Sequence, residues 1–255
     1  MTWIGGASRA AVLPPGPIGY HALVSICLYI VGQPPAEIRA RHGDFVDMFA
    51  RIGGLARRGF DVVDGPVDPA PKPAQFSGLI ISGSAASVLD SEAWMDDAVD
   101  LIGSFASAGR PVLGVCFGHQ LIAKAFGGSV RRADVGLMSS TWSIELTAAG
   151  ERDPLFRDLP PAIETNFSHR DEIVPSDELT VLANGPHSIA AIGVGDCVRG
   201  VQFHPEFSAA EARAYVDYRS GELGDASAEL AAKASDTPGA ISAVENFLTE
   251  FVDRA

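Results

Sequence analysis

Short apolar runs rich in valine, isoleucine and leucine recur along the chain, and they constrain its fold more than any other feature. Three of them occupy residues 23–31, 78–81 and 111–115, and a segment of helical spacing or a glycine turn follows each one. A strand that is apolar at every position has no polar face that could be exposed to solvent. Such strands are typical of a parallel sheet covered by helices on both faces. We therefore predict an α/β fold with three layers and a mostly parallel sheet.

Helical periodicity and strand-like alternation divide the rest of the chain. The spacing of apolar residues predicts helices over residues 45–55, 94–108 and 117–126, and Gly127 stands where a left-handed cap would end the last of these. From residue 140 to 201 the pattern changes to short alternating runs. Such runs indicate antiparallel or edge strands.

The C-terminal segment, residues 208–255, is predicted to be a helical extension. Ser208 and Glu211 have capping-box spacing, and Pro238 stands where the first turn of a final helix tolerates proline. We expect the apolar stripe of that last helix to pack on the sheet, and the alternative is a contact in a homodimer. The polar stretch 221–238 is predicted to be a mobile connection.

Length and charge narrow the classes of function. A chain of 255 residues, 47% of them hydrophobic, can bury one sizeable core, so we predict a single domain over residues 21–255 after a disordered extension at 1–20. The net charge of -13, with no basic run, would repel a phosphate backbone and disfavours nucleic-acid binding. The apolar run at 23–31 is too short for a membrane helix and lacks the basic lead-in and cleavage site of a signal peptide, so we expect a buried strand, no membrane partner and a cytoplasmic location, with a signal-peptide core as the alternative.

The cysteines suggest chemistry at one position only. Cys27, Cys116 and Cys197 are widely separated and odd in number, so they predict neither a disulfide framework nor a metal site. Cys27 and Cys197 are interpreted as small buried hydrophobic residues, which is the ordinary role of a free cysteine.

Cys116 differs because glycines bracket it, in the pattern Gly114-x-Cys116-x-Gly118 directly after a strand-like run. This is the thiol form of a nucleophile elbow, in which a strained turn exposes the nucleophile between a strand and a helix. The partial positive charge at the start of that helix favours a thiolate, and the amide of Phe117 would point toward an oxyanion. A buried structural cysteine is the alternative, and the glycine bracketing argues against it.

A general base is predicted in the run from Gly200 to Phe207. The run delivers His204 and, two residues later, Glu206, which in an extended chain lie on the same side of the backbone. The carboxylate could then accept a hydrogen bond from one imidazole nitrogen while the other nitrogen faces the thiol. In isolation a histidine before a proline would be an ordinary surface turn, but together with the cysteine elbow it indicates a catalytic pair.

With these motifs the sequence resembles the class I, or triad, glutamine amidotransferases, particularly stand-alone proteins similar to the amidotransferase domain of GMP synthetase. The resemblance runs from about residue 23 to residue 207 and depends on four motifs, at residues 82–84, 114–120, 168–171 and 200–206. It implies the flavodoxin-like fold of that family, with the site at the carboxyl ends of the parallel strands.

The resemblance also implies roles for individual residues. The cysteine would attack the side-chain amide of glutamine to form a γ-glutamyl thioester, and histidine would give a proton to the departing ammonia and then activate water. The implied roles are these: nucleophile Cys116, general acid and base His204, orienting carboxylate Glu206, oxyanion amides at Phe117 and at Gly83 or Ser84, and substrate binding by Gln120, Ser168 and His169.

Two departures from the family pattern bear on function. The second oxyanion loop usually reads Gly-Gly-Pro or Asn-Gly-Pro in the family, whereas this chain has Gly83-Ser84-Ala85, which leaves open which amide faces the oxyanion. The chain has no phosphate-binding motif of an ATP-dependent synthetase, so the acceptor of the ammonia is expected on a separate synthetase subunit. No cofactor is implied.

Two other functions fit the same residues. The first is a hydrolase or transferase that removes the γ-glutamyl group from a small peptide or conjugate by the same thioester chemistry. The second is a regulatory or scaffold protein whose site has lost its activity. The altered turn at Gly83-Ser84-Ala85 favours this second alternative, and the presence of Cys116, His204 and Glu206 argues against it.

Overall fold

The computed structural model describes residues 25–255, so the predicted extension at 1–20 and the start of the first apolar run lie outside the described residues. Eleven strands form within the described range. They are β1 (Ile26–Ile30), β2 (Phe60–Asp64), β3 (Gly78–Ile81), β4 (Val112–Val115), β5 (Ser129–Arg132), β6 (Met138–Leu146), β7 (Ala162–His169), β8 (Asp171–Val174), β9 (Thr180–Asn184), β10 (Ile189–Val194) and β11 (Val198–Val201).

Nine of these strands form one sheet with two halves of different direction. Its order is β2-β1-β3-β4-β11-β10-β9-β6-β7. The pairings from β2 through β11 are parallel, and those from β11 through β7 are antiparallel. Strands β5 and β8 form a separate antiparallel pair. The predicted parallel core and the predicted antiparallel strands after residue 140 are both confirmed.

Helices cover both faces of the sheet. Their bounds are α1 (Ala36–His42), α2 (Phe45–Ala50), α3 (Gly53–Arg58), α4 (Ala93–Ser107), α5 (Phe117–Ala125), α6 (Ala209–Tyr218), α7 (Ser220–Leu223), α8 (Ser227–Lys233) and α9 (Pro238–Asn246), the last continued by a π-helical turn at Phe247–Val252.

The fully apolar strands have partners on both sides, as their sequence predicts. Along β1, Leu28 packs in the cluster that contains Phe49 of α2, whereas the next residue, Tyr29, packs in the cluster that contains Phe105 of α4. All five side chains of β1 are buried. Because successive side chains of a strand point to opposite faces, these two clusters are the two interfaces of a three-layer α/β fold.

Two predicted elements differ from the structure. The single helix expected over residues 45–55 is two helices, because the backbone leaves the helical conformation at Ile52, whose ψ is 112°, and α3 begins at Gly53. The stretch 221–238, expected to be a mobile connection, contains α7 and α8. Leu230 anchors α8, since its carbonyl accepts a hydrogen bond of 2.6 Å from the Ser140 hydroxyl.

Other local predictions agree with the structure. Gly127 has a φ of 76° after α5, as a left-handed cap requires, and Ser208 caps α6 in a capping box with Glu211. The side chains of Val244 and Phe247 in the final helix are buried against the sheet. In residues 25–255, no helix is long and apolar enough to cross a membrane.

The pairing of the central strands determines where the candidate site lies. Gly114 of β4 lies opposite Gly200 of β11 on one side and next to Ile81 of β3 on the other. The three strands therefore end level with one another, and the residues that follow each of them emerge at the same edge of the sheet.

Candidate active site

Cys116 occupies a strained turn between β4 and α5. Its φ is 50° and its ψ is −96°, a combination that costs a non-glycine residue energy and persists only when its surroundings impose it. The flanking glycines are required, because a Cβ atom on Gly114 would lie 2.4 Å from the backbone of Gly118, and one on Gly118 would lie 2.7 Å from the carbonyl oxygen of Ile81. The predicted elbow geometry is therefore present.

His204 follows β11, and hydrogen bonds and a ring stack fix its position. Its amide donates to the carbonyl oxygen of Asn166 over 2.8 Å, and its Nδ1 lies 2.7 Å from Oε1 of Glu206. The imidazole stacks on Phe207 with ring centroids 4.1 Å apart, and Phe207 in turn stacks on Tyr215 of α6. The Glu206 carboxylate and the stack on Phe207 together restrict the imidazole to one orientation. In this orientation Nε2 lies on the side of the ring away from Glu206.

The thiol and the imidazole meet beside Gly83. A Cβ atom built on Gly83 would lie 2.8 Å from Cε1 of His204 and 3.7 Å from Cβ of Cys116, so both side chains contact this glycine. Burial disfavours a charged imidazole, but the negative charges of Glu206 and Cys116 outweigh burial and raise the pKa of His204 to about 10. The arrangement therefore favours the imidazolium form of His204 at neutral pH.

The loop after β3 holds a fixed peptide plane near the thiol. The Ser82 hydroxyl accepts from the amide of Val31 and donates to the carbonyl oxygen of Gly83, each over 3.0 Å. Because the C=O and N–H of one peptide point in opposite directions, the Ser84 amide points away from Ser82. Ser84 and Phe117 both line the cavity at Cys116, so their amides are the geometric candidates for binding an oxyanion.

A cavity of about 410 Å³ opens in front of Cys116, and Gln120, Ser168 and His169 all line it. Gln120 Nε2 donates to the carbonyl oxygen of Asp171 over 3.0 Å. His169 donates from Nδ1 to the same oxygen over 2.9 Å, because a carbonyl can only accept. Burial lowers the pKa of His169 to about 4, so the ring is neutral and its Nε2, which has no partner among residues 25–255, is free to accept.

The sequence motifs assign no role to Gln202, whose side chain contacts the thiol of Cys116. Its Nε2 donates to Sγ of Cys116 over 3.5 Å, and its Oε1 accepts from Gln120 over 3.3 Å. A signal was available, because positions 202, 204 and 206 have the same period-two spacing that pairs His204 with Glu206.

The rim of the cavity carries several charges, of which only Arg170 and Asp171 belong to a sequence motif. Arg132 pairs with Asp171, whose carboxylate also accepts from the Ser87 hydroxyl over 2.5 Å. Arg170 pairs with Glu222 through two parallel hydrogen bonds. A third arginine, Arg219, follows α6 and also lines the cavity. In the part of the chain that the structure describes, no three His, Cys, Asp or Glu side chains are grouped as metal ligands.

Comparison with known proteins supplies a family for this geometry. The family model described as "Glutamine amidotransferase class-I" matches residues 50–217. The chain is 26% identical to gamma-glutamyl peptidase 4 of Arabidopsis thaliana, over 71% of this chain and 75% of that protein. It is 33% identical to one subunit of the glutamine-hydrolysing GMP synthase of Sulfolobus acidocaldarius, over 52% of this chain and 68% of that protein.

The fold has close counterparts among solved structures. A glutamine amidotransferase from Thermotoga maritima superimposes with a TM-score of 0.70 and 21% sequence identity, covering 92% of this chain and all of that one. At this level of identity the match concerns the fold alone.

Proposed function

The chain belongs to the class I glutamine amidotransferase family, and on that premise we propose that it hydrolyses the γ-amide of glutamine through a thioester on Cys116 and releases ammonia. The observation that carries the proposal is the strained turn at Cys116 with a buried His204–Glu206 pair beside it. A structural cysteine needs neither a strained backbone nor a histidine held in one orientation.

The first half of the reaction acylates the enzyme. The Cys116 thiolate attacks the amide carbon, and the amides of Ser84 and Phe117 stabilise the negative charge on the oxygen of the tetrahedral intermediate. As the intermediate collapses, the C–N bond breaks and the His204 imidazolium gives its proton to the leaving nitrogen. Ammonia leaves, and the γ-glutamyl group remains on sulfur as a thioester.

The second half restores the enzyme. His204 is now neutral and takes a proton from a water molecule as the water attacks the thioester carbon. The C–S bond breaks, glutamate leaves, and the thiolate and imidazolium are re-formed. Glu206 keeps the imidazole oriented throughout, and its negative charge stabilises the imidazolium state.

We assign the binding of the amino-acid end of the substrate to Gln120, Ser168 and His169. The neutral ring of His169 offers Nε2 as an acceptor, which suits the α-ammonium group, and the Ser168 hydroxyl is buried with no partner in the described chain. A buried polar atom without a partner costs stability, so both atoms favour a ligand that supplies the missing hydrogen bonds.

The acceptor of the ammonia would lie on a separate protein. This part of the proposal is supported by the similarity to the GMP synthase subunit of Sulfolobus acidocaldarius, which is by its name one part of a larger enzyme. We expect ammonia release to increase when the matching synthetase subunit is added.

Hydrolysis of γ-glutamyl peptides is a second candidate, favoured by the size of the cavity. Pockets of roughly 300–1,000 Å³ take ligands larger than an amino acid, and this cavity of about 410 Å³ falls in that range. The similarity to a gamma-glutamyl peptidase extends over more of the chain than the similarity to the GMP synthase subunit.

Ammonia release from glutamine by the purified chain tests the leading proposal. The Cys116→Ala variant should release none, whereas Cys197→Ala, which removes a half-buried thiol elsewhere, should match the wild type. No release by the wild type, alone or with candidate synthetase subunits, contradicts the proposal. A scaffold without activity would also leave Cys116 unlabelled by diazo-oxonorleucine, a glutamine-like electrophile.

A further inference from the structure

Arg219 is the cavity arginine that lacks a protein anion. Arg132 and Arg170 each form an ion pair, with Asp171 and Glu222 respectively. Arg219 forms no ion pair and no side-chain hydrogen bond within the described range, and its Nε is buried without a partner. A guanidinium has five donors, so this side chain is under-satisfied at a place where a ligand can reach it.

The surroundings of Arg219 disfavour its positive charge. Burial is the main cause that lowers its pKa, and repulsion from the neighbouring charge of Arg170 lowers it further. Glu222 lies close enough to act on Arg219 but is already engaged by Arg170. The remaining carboxylate at the cavity, Asp90, is exposed and accepts from the amide of Ser87. An anion on the substrate would therefore meet a cation that is not already neutralised.

The chain path indicates which end of the substrate Arg219 faces. Tyr215 lies on the Phe207 ring that stacks on His204, and the amide of Arg219 donates to the carbonyl oxygen of Tyr215 one helical turn away. Arg219 therefore directly follows, along the chain, the helix that packs on the His204 stack. In the proposed reaction His204 gives its proton to the leaving nitrogen, so α6 and Arg219 approach the cavity from the side of the leaving group.

We propose that Arg219 binds a carboxylate on the leaving-group side of the substrate, so that among γ-glutamyl peptides the site prefers those with a free carboxylate. This inference rests on the proposed thioester chemistry at Cys116. The balance of the reaction is unchanged: the same C–N bond breaks, His204 protonates the same nitrogen, and an amino acid leaves in place of ammonia. Glutamine has no group that could occupy this position.

Paired substrates test the preference. The comparison is γ-glutamylalanine against γ-glutamylalanine amide, which differ only in the carboxylate. In the wild type kcat/KM should be about tenfold higher for the acid or more, since hydrogen bonds between charged groups are stronger than those between neutral groups. Arg219→Gln should remove this ratio and Arg219→Lys should keep part of it, because lysine retains the charge without the planar fork.

Arg213→Gln is the matched control, because it removes the same charge from an exposed position on α6, the helix that directly precedes Arg219. It should leave the acid-to-amide ratio at the wild-type value. An equal loss for acid and amide in Arg219→Gln would mean that Arg219 supports the fold or the γ-glutamyl end, and it would overturn the inference.

A binding measurement separates this inference from the proposed reaction. In the Cys116→Ala background, or Cys116→Ser if alanine disturbs the turn, calorimetry should give tighter binding of the acid than of the amide by the same factor, lost with Arg219→Gln. Such a preference supports the role of Arg219 even if the wild type hydrolyses neither compound. Equal binding of acid and amide by a protein that hydrolyses glutamine overturns the inference and leaves the proposed reaction standing.

Discussion

Substitution of Gly83 by alanine tests whether the position of His204 controls the reaction. The added methyl carbon would lie 2.8 Å from Cε1 of His204, whereas non-bonded carbons are most favourable at about 3.5–4.0 Å, so one of them must move by roughly 0.7 Å. The imidazole cannot retreat easily, because Phe207 is stacked on its ring at 4.1 Å and Glu206 is hydrogen-bonded to Nδ1. The displacement therefore acts on the contact between His204 and Cys116.

A misplacement of about 1 Å at a reacting group can lower the rate by about 10²-fold, so we expect Gly83→Ala to lower kcat/KM by roughly 30- to 100-fold. The assay is glutamate release from the best substrate, together with the rate at which iodoacetamide alkylates Cys116, which needs no substrate. Gly103→Ala is the control, because nothing lies within 4 Å of a Cβ atom there. Activity and alkylation within threefold of the wild type, in a folded Gly83→Ala protein, would refute the reasoning.

Three further predictions concern pH and packing. Glu206→Gln removes the main charge that raises the pKa of His204, so the alkaline limit of activity, set in the wild type by the loss of the imidazolium near pH 10, should move to lower pH in a pH–rate profile. Burial lowers the pKa of His119 to about 3 and of His169 to about 4, so the unfolded chain binds more protons below about pH 6.5. The contribution of these two histidines to stability, measured by chemical denaturation, should therefore be full above pH 6.5 and should fall by up to about 1.4 kcal/mol per pH unit for each histidine as the pH decreases toward 4; a flat profile between pH 6.5 and 4 contradicts this. Gly200→Ala would put a methyl group 2.8 Å from Nδ1 of His119. This overpacking should lower the free energy of unfolding by about 1–3 kcal/mol. An unchanged midpoint of urea denaturation would contradict this prediction.

The parallel core and the elbow were predictable because their signals are local. A strand buried on both faces is apolar at every position, and β3 was predicted with its observed bounds for that reason. The turn at Cys116 allows only glycine at positions 114 and 118, so its geometry is visible in the sequence. The split of the predicted helix over residues 45–55 was missed, because it occurs at the extended backbone of Ile52 and the periodicity of apolar residues does not indicate a break in the backbone.

The sequence by itself determined the fold class and the order of the candidate catalytic groups, since periodicity, glycine bracketing and two-residue spacing act over a few neighbouring positions. The tertiary structure alone decided which distant groups share the cavity. Arg219 and Glu222 come from the C-terminal helices and Arg170 from the end of β7, and no pattern within either segment indicates that they meet. The reason is physical: long-range ion pairing depends on how helices pack on the sheet, and many packings are compatible with the same local pattern.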